Sequence, residues 1–128
     1  MNIGEAAKRS GVSAKAIRYY ESIGLIPAAG RTAAGYRAYT GNEVETLRFI
    51  HRARSLGFSV AEVAGLLELW RDRSRASSDV KAIALDHVAA IEGKIAELEA
   101  IRRTLLDLTR RCHGDDHPDC PILDGLTQ

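Results

Sequence analysis

Two thiols are the most reactive groups in this chain. Cys112 and Cys120 stand eight positions apart in the run CHGDDHPDC, with His113, His117 and three aspartates between them. The glycine and proline of that run break a helix, so the thiols fall at the two ends of a compact loop. The spacing is not the CxxC of thioredoxin-type redox motifs. An iron–sulfur cluster needs four ligands, more than the cysteines here supply. Both thiols with His113 and His117 could formally complete a structural zinc site, but ligands so dense in a short loop would strain a tetrahedron. Soft thiolates select soft ions, and Cu(I) is satisfied by very few of them. His113 and His117 stay open between auxiliary ligands and solvated loop residues. Asp115, Asp116 and Asp119 read as solvated or capping groups, since carboxylates without carbonyl ligands make a poor calcium loop.

A second group of residues suits a polyanion. Lys15 and Arg18 are three apart, so on a helix they share a face, with Ala14, Ala16 and Ile17 small or inward. Arginine reads guanine edges bidentately, and lysine or tyrosine hydroxyl groups hold phosphates. Of the adjacent Tyr19 and Tyr20, one is expected to be partly buried. Downstream, Arg31, Tyr36 and Arg37 could reach phosphates or a minor groove. The charge distribution agrees with this division. Residues 1–60 hold nine Lys/Arg against four Asp/Glu, a surplus of five, whereas residues 61–128 hold nine against thirteen, a deficit of four. A basic end for a polyanion and an acidic end for another purpose follow. No base–nucleophile pairing and no phosphate-cradling loop is visible, so the chain does not read as an enzyme.

Both groups need elements to hold them. Ile3, Ala6, Ala7 and Ser10 fall at helical spacing, stopped by Gly11; Ser13 caps a second helix, Ala14 to Ile23, ended by Gly24. That is a helix-turn-helix. The run AAGRTAAGYRAYT predicts a short β-hairpin turning near Ala33-Ala34-Gly35, which makes a wing. Asn42 opens a third helix to about Leu56, and Ser59 caps a fourth, about Val60 to Trp70. RDRSRASSD is a polar connector. From Asp79 to about Arg110 a long helix carries Val88, Ile91, Ile95, Leu98, Leu105 and Leu108 as a coiled-coil seam interrupted by Arg102. Such a stripe is unstable alone in water, which favours self-association with two-fold symmetry. His51 and His87 are surface or seam residues. The domains expected are 1–70 for DNA binding, 71–78 as connector, 79–111 for dimerisation, and 112–128 as a metal loop with a short helix.

Composition agrees with a small globular protein: 45% hydrophobic and 27% charged residues argue against disorder, while only 5% aromatics leave a thin core that favours dimerisation. The start MNIGEAAKRSGVS carries charges where a signal peptide would be apolar, and no window has the length of a membrane span. A cytoplasmic location is expected, where two cysteines do not persist as a structural disulfide.

The stretch IGEAAKRSGVSAKAIRYYESIGLIP followed by RTAAGYRAYT resembles the N-terminal signature of the MerR family, above all in IRYYE.IGL and GYR.Y at this spacing. The resemblance continues through the long helix. It implies a mainly α winged helix-turn-helix homodimer whose long helices form an antiparallel coiled coil. It also implies an activator that bends and untwists promoter DNA for RNA polymerase. By position the implied DNA contacts are Lys15, Arg18, Tyr20, Arg31, Tyr36 and Arg37. The C-terminal loop and its PDCPIL are similar to the copper-efflux regulator branch, which implies Cu(I), Ag(I) or Au(I) held linearly by Cys112 and Cys120. Divalent-metal sensors of the family carry a cysteine at the start of the long helix, where this chain has Ser77 and Ser78. Two uses of the thiols remain open beside copper: a redox switch, or another thiophilic metal such as Zn(II) or Hg(II). Some members of the branch carry a Cys/His-rich tail, which does not appear before Gln128.

Overall fold

The computed structural model describes residues 1–127, which fall into two compact units, Met1–Ala76 and Ser77–Gln128. In the first, α1 (Ile3–Ser10) starts at Asn2, whose side chain accepts the Glu5 N–H at 2.9 Å. It stops at Gly11, whose φ of 80° is a left-handed position where a side chain is strained. A Cβ there would also stand 3.3 Å from the His51 ring, so the tight turn rests against a later helix. Ser13 then caps α2 (Ala14–Ser22), accepting the Ala16 N–H at 3.1 Å. The helix-turn-helix is therefore dictated by one glycine and one serine two positions on.

Strands β1 (Gly30–Arg31) and β2 (Arg37–Ala38) pair antiparallel, with Gly30 opposite Ala38 and Arg31 opposite Arg37. The turn closes where the Gly35 N–H donates to the Thr32 carbonyl at 2.9 Å. Helix α3 (Gly41–Ser55) begins one residue before the expected Asn42, because the Thr40 hydroxyl accepts the Glu43 N–H and makes Thr40 the cap. Helix α4 (Val60–Arg71) has a full capping box, Ser59 and Glu62 each satisfying the other's backbone. Val44, Leu47, Ile50 and Ala53 recur at three-residue steps and form the buried face of α3. With Ala6, Val12, Ile17, Val63 and Leu67 they make the aliphatic core. Arg48 Nε donates to the Arg9 carbonyl at 2.9 Å, tying α3 to the negative end of α1.

The second unit is α5 (Ser77–Arg111) and α6 (Pro121–Leu126). At 35 residues, α5 runs about 50 Å. It begins two residues before the expected Asp79. Its apolar stripe differs from the sequence reading at three places, Leu85, Ile101 and Leu108. Leu85, Val88, Ile91, Ile95, Leu98, Ile101 and Leu105 are 42–62% exposed, so Leu85 and Ile101 belong to it, whereas Leu108 is 5% exposed and leaves it. Helix α6 covers Leu108, and a stripe read from periodicity alone cannot foresee that. Among the described residues no helix is long and apolar enough to cross a membrane.

Candidate nucleic-acid interface and two-thiol loop

Helix α2 places Lys15 and Arg18 in solvent and Ile17 fully inside, so the cationic and packed faces are opposite. Among the described residues neither cation is engaged in an ion pair. Of the two tyrosines, Tyr19 is half-exposed and Tyr20 is the more buried, their rings 5.9 Å apart and tilted. Tyr20, an expected contact, thus offers less of its ring to a ligand than its neighbour does.

The wing presents Arg31 and Tyr36 fully to solvent, with Arg31 Nη1 donating to the Gly35 carbonyl at 3.3 Å across the turn. Arg37 is different. It is half-buried, and its guanidinium lies 3.6 Å from Glu21, whose carboxylate is almost fully covered. Two arginines directly opposite on paired strands repel, and Glu21 offsets that repulsion from the end of α2. Tyr39 adds a second link, its hydroxyl donating to Glu21 at 2.5 Å. The Tyr39 N–H and carbonyl also pair with the Met1 carbonyl and the N-terminal ammonium, at 2.7 and 2.8 Å. Sequence reasoning named neither Glu21 nor Tyr39 as functional, although both are letters of the motifs IRYYE and GYR.Y. Their role is to fasten the wing to α2.

This fastening has a pH signature. Burial first, then the hydrogen bond and charge of Glu21, push Tyr39 from its ordinary value near 10 up to about 12, partly offset by Arg37. The folded chain therefore holds this proton more tightly than the unfolded one. The stabilisation is fully present below about pH 10 and is lost as pH rises from 10 through 12. Tyr39→Phe should lower unfolding free energy at neutral pH by about 1.5–3 kcal/mol, the worth of a hydrogen bond to a charged group. It should also flatten the alkaline limb of the stability profile. Denaturant melts of both proteins across that range check this.

The second unit brings the two thiols together. Cys112 follows the last residue of α5 and Cys120 precedes the first of α6; both are free thiols, half-buried, and near enough for Cys112 to act on Cys120. Cys120 is the N-cap of α6. Its sulfur makes no capping hydrogen bond of standard geometry, but the Leu123 N–H, and to a lesser degree that of Ile122 and the Cys112 thiol, hold it below the ordinary cysteine range against partial desolvation and Asp124. The loop between is ordered locally by Asp115, which accepts the His117 N–H at 2.9 Å. His113 and His117 are exposed. Among the described residues no three metal-ligating side chains converge, so the histidines are not gathered with the thiols. The arrangement can hold one soft ion between two sulfurs.

Comparisons with known proteins cover almost the whole chain. The family model described as MerR HTH family regulatory protein matches residues 1–70, and that described as MerR, DNA binding matches residues 44–108. Heavy metal-dependent transcription regulator 2 of Rhizobium meliloti is 64% identical over 98% of this chain and 86% of its own length. HTH-type transcriptional regulator CueR of Salmonella typhimurium is 44% identical over 99% and 92%. Among solved structures, the regulator PbrR691 of Ralstonia metallidurans in complex with lead(II) superposes with a TM-score of 0.84 at 33% identity, over 98% of both chains.

Proposed function

The chain belongs to the MerR family of transcriptional regulators, and from that premise we propose that it is a homodimeric, Cu(I)-responsive activator that also answers Ag(I) and Au(I). The observation that carries the metal reading is the pair of half-buried free thiols, Cys112 and Cys120, brought near each other by one loop, with no third ligand beside them among the described residues. Two thiolates and one Cu(I) leave a net charge of −1. The Leu123 and Ile122 N–H groups that already favour the Cys120 thiolate offset it. A divalent ion would ask for more ligands than this loop offers.

The names of the relatives support the same class: one is a heavy metal-dependent regulator and another is CueR. A second reading, a divalent soft ion, is favoured by the lead(II) complex of PbrR691. Against it, the first turn of α5 carries Ser77 and Ser78, where the divalent sensors of the family are expected to place a thiol.

Lys15, Arg18 and Tyr20 of α2 with Arg31, Tyr36 and Arg37 of the wing grip promoter DNA, and the exposed stripe of α5 pairs with a second copy in an antiparallel coiled coil. Metal binding orders the Cys112–Cys120 loop against the partner's long helix, changes the tilt of the two DNA-binding units, and so the distortion imposed on the promoter that RNA polymerase reads. The ion shifts that equilibrium only by binding the activating form more tightly. A reporter driven by the cognate promoter, challenged with Cu, Ag, Au, Zn, Hg and Pb salts under thiol-reducing conditions, tests the reading. Induction by Cu, Ag and Au alone is expected. Induction by zinc, mercury or lead without copper overturns the copper assignment. Induction by a thiol oxidant with no metal supports a disulfide switch instead.

A further inference from the structure

Helix α5 hides one apolar side chain while exposing seven. Leu108 is 5% exposed, and it is the only buried residue of the helix among those described. What packs against it is Gly125, the penultimate residue of α6. A Cβ built on Gly125 would stand 2.6 Å from Leu108 Cδ2 and 3.1 Å from Cδ1, both inside normal contact. Gly125 has no left-handed φ, so the backbone does not demand glycine. Space does. Glycine inside a helix costs about 1 kcal/mol relative to alanine. A six-residue helix carries that cost here where it packs against Leu108 of α5.

The contact lies near both thiols along the chain. Cys112 is four residues beyond Leu108, just past the end of α5, and Cys120 is five residues before Gly125, at the N-cap of α6. Pinning 108 to 125 therefore fixes both ends of the loop at once. We infer that Leu108 and Gly125 are positioning residues for the two-cysteine site: the leucine seated on the glycine brackets α6 against α5 and sets the distance between the Cys112 and Cys120 sulfurs before any ion arrives. This rests on the reading of those cysteines as a metal site. A loop closed in advance spares the ion the entropy of ordering it, which raises affinity without adding a ligand.

The test uses the full chain and three variants, Leu108→Ala, Gly125→Val and the double substitution, in which the smaller residue at 108 makes room for the larger one at 125. Two readouts are taken. The first, independent of metal, is the rate at which dibromobimane links the two thiols within one chain, since only neighbouring thiols react twice. Each single variant should slow linking about tenfold, by loss of effective molarity, and the double variant should recover most of it. The second is Cu(I) affinity by competition with bicinchoninate, which should fall about 10–100-fold in the singles, as when a supporting residue behind a metal ligand is removed, and recover in the double. Helical content and operator affinity should not change. Linking at the unaltered rate in both singles overturns the inference, as does loss without recovery in the double. Failure of the unsubstituted protein to compete for Cu(I), with the linking pattern as expected, overturns the copper reading and leaves the bracket standing.

Discussion

Serine at Cys112 or at Cys120 should reduce copper-driven expression to the uninduced level while operator affinity stays within about twofold. The two effects separate because the residues lie in different compact units: the cysteines in Ser77–Gln128 and the side chains proposed to grip DNA in Met1–Ala76. Substitutions with no shared partners change one another's energetics by only about 0.3–0.5 kcal/mol, which is that twofold. Serine keeps the size and the hydrogen bonding of the loop, so the loss is one of ligation. Moving an equilibrium from nearly off to nearly on requires about 5.5 kcal/mol of preference for the active form. One remaining thiolate can bind the ion in either form without bracing the loop, and an ion bound equally in both shifts nothing. Reporter output and gel-shift affinity, measured for both variants, check the pair of claims. Loss of operator binding would mean that the cysteines hold the fold and do not sense.

Much of this architecture could be read before any coordinates. Gly11, Ser13 and Ser59 mark their helix ends by chemistry that acts over three or four residues, and the structure puts the caps at those positions. The start of α3 lay one residue away because Thr40 and Asn42 both accept hydrogen bonds, and only the backbone decides between them. Leu108 is instructive. It continues the three- and four-residue rhythm of the stripe, and periodicity assigns it to a partner helix. Its actual cover comes from a glycine seventeen residues on, a long-range contact with no local signature. Glu21 and Tyr39 show the same limit. The motif letters were visible, but a carboxylate paired with both Arg37 and a buried phenol is legible only once the wing folds back on α2. At the thiols the sequence supplied residue types and spacing; that Cys112 lies near Cys120, with no third ligating side chain gathered to them among the described residues, required the loop.

Leu98→Asp should convert the protein to a monomer and weaken operator binding by orders of magnitude. Leu98 is the most exposed of the seven apolar residues along α5, at 62%. Full burial of a leucine or isoleucine is worth about 1.5–3 kcal/mol, so covering a half-exposed one gains about 1 kcal/mol. Two-fold pairing counts each of the seven twice, about 14 kcal/mol in all against an association cost of about 4–15 kcal/mol, so little surplus is left to absorb a loss in the seam. The same doubling works against the variant. Both copies carry the carboxylate into the seam, and removing two charges from water costs several kcal/mol each. Leu98→Met, of similar volume and apolar, should cost under about 1.5 kcal/mol and leave the dimer intact. Sedimentation velocity distinguishes the two, and a dimer persisting in Leu98→Asp would assign the stripe to something other than self-association. Operator affinity should follow the mass, because one unit engaging one half-site forgoes the 10²–10⁴-fold gained by linkage. Copper should behave differently. Cys112, Cys120, Leu108 and Gly125 all belong to one chain, so the monomer should still take up Cu(I). Induction should nonetheless vanish, since a promoter is twisted only by two grips held at a fixed angle. Metal binding without response in that variant would place the switch in the dimer, and not in the loop that reads the ion.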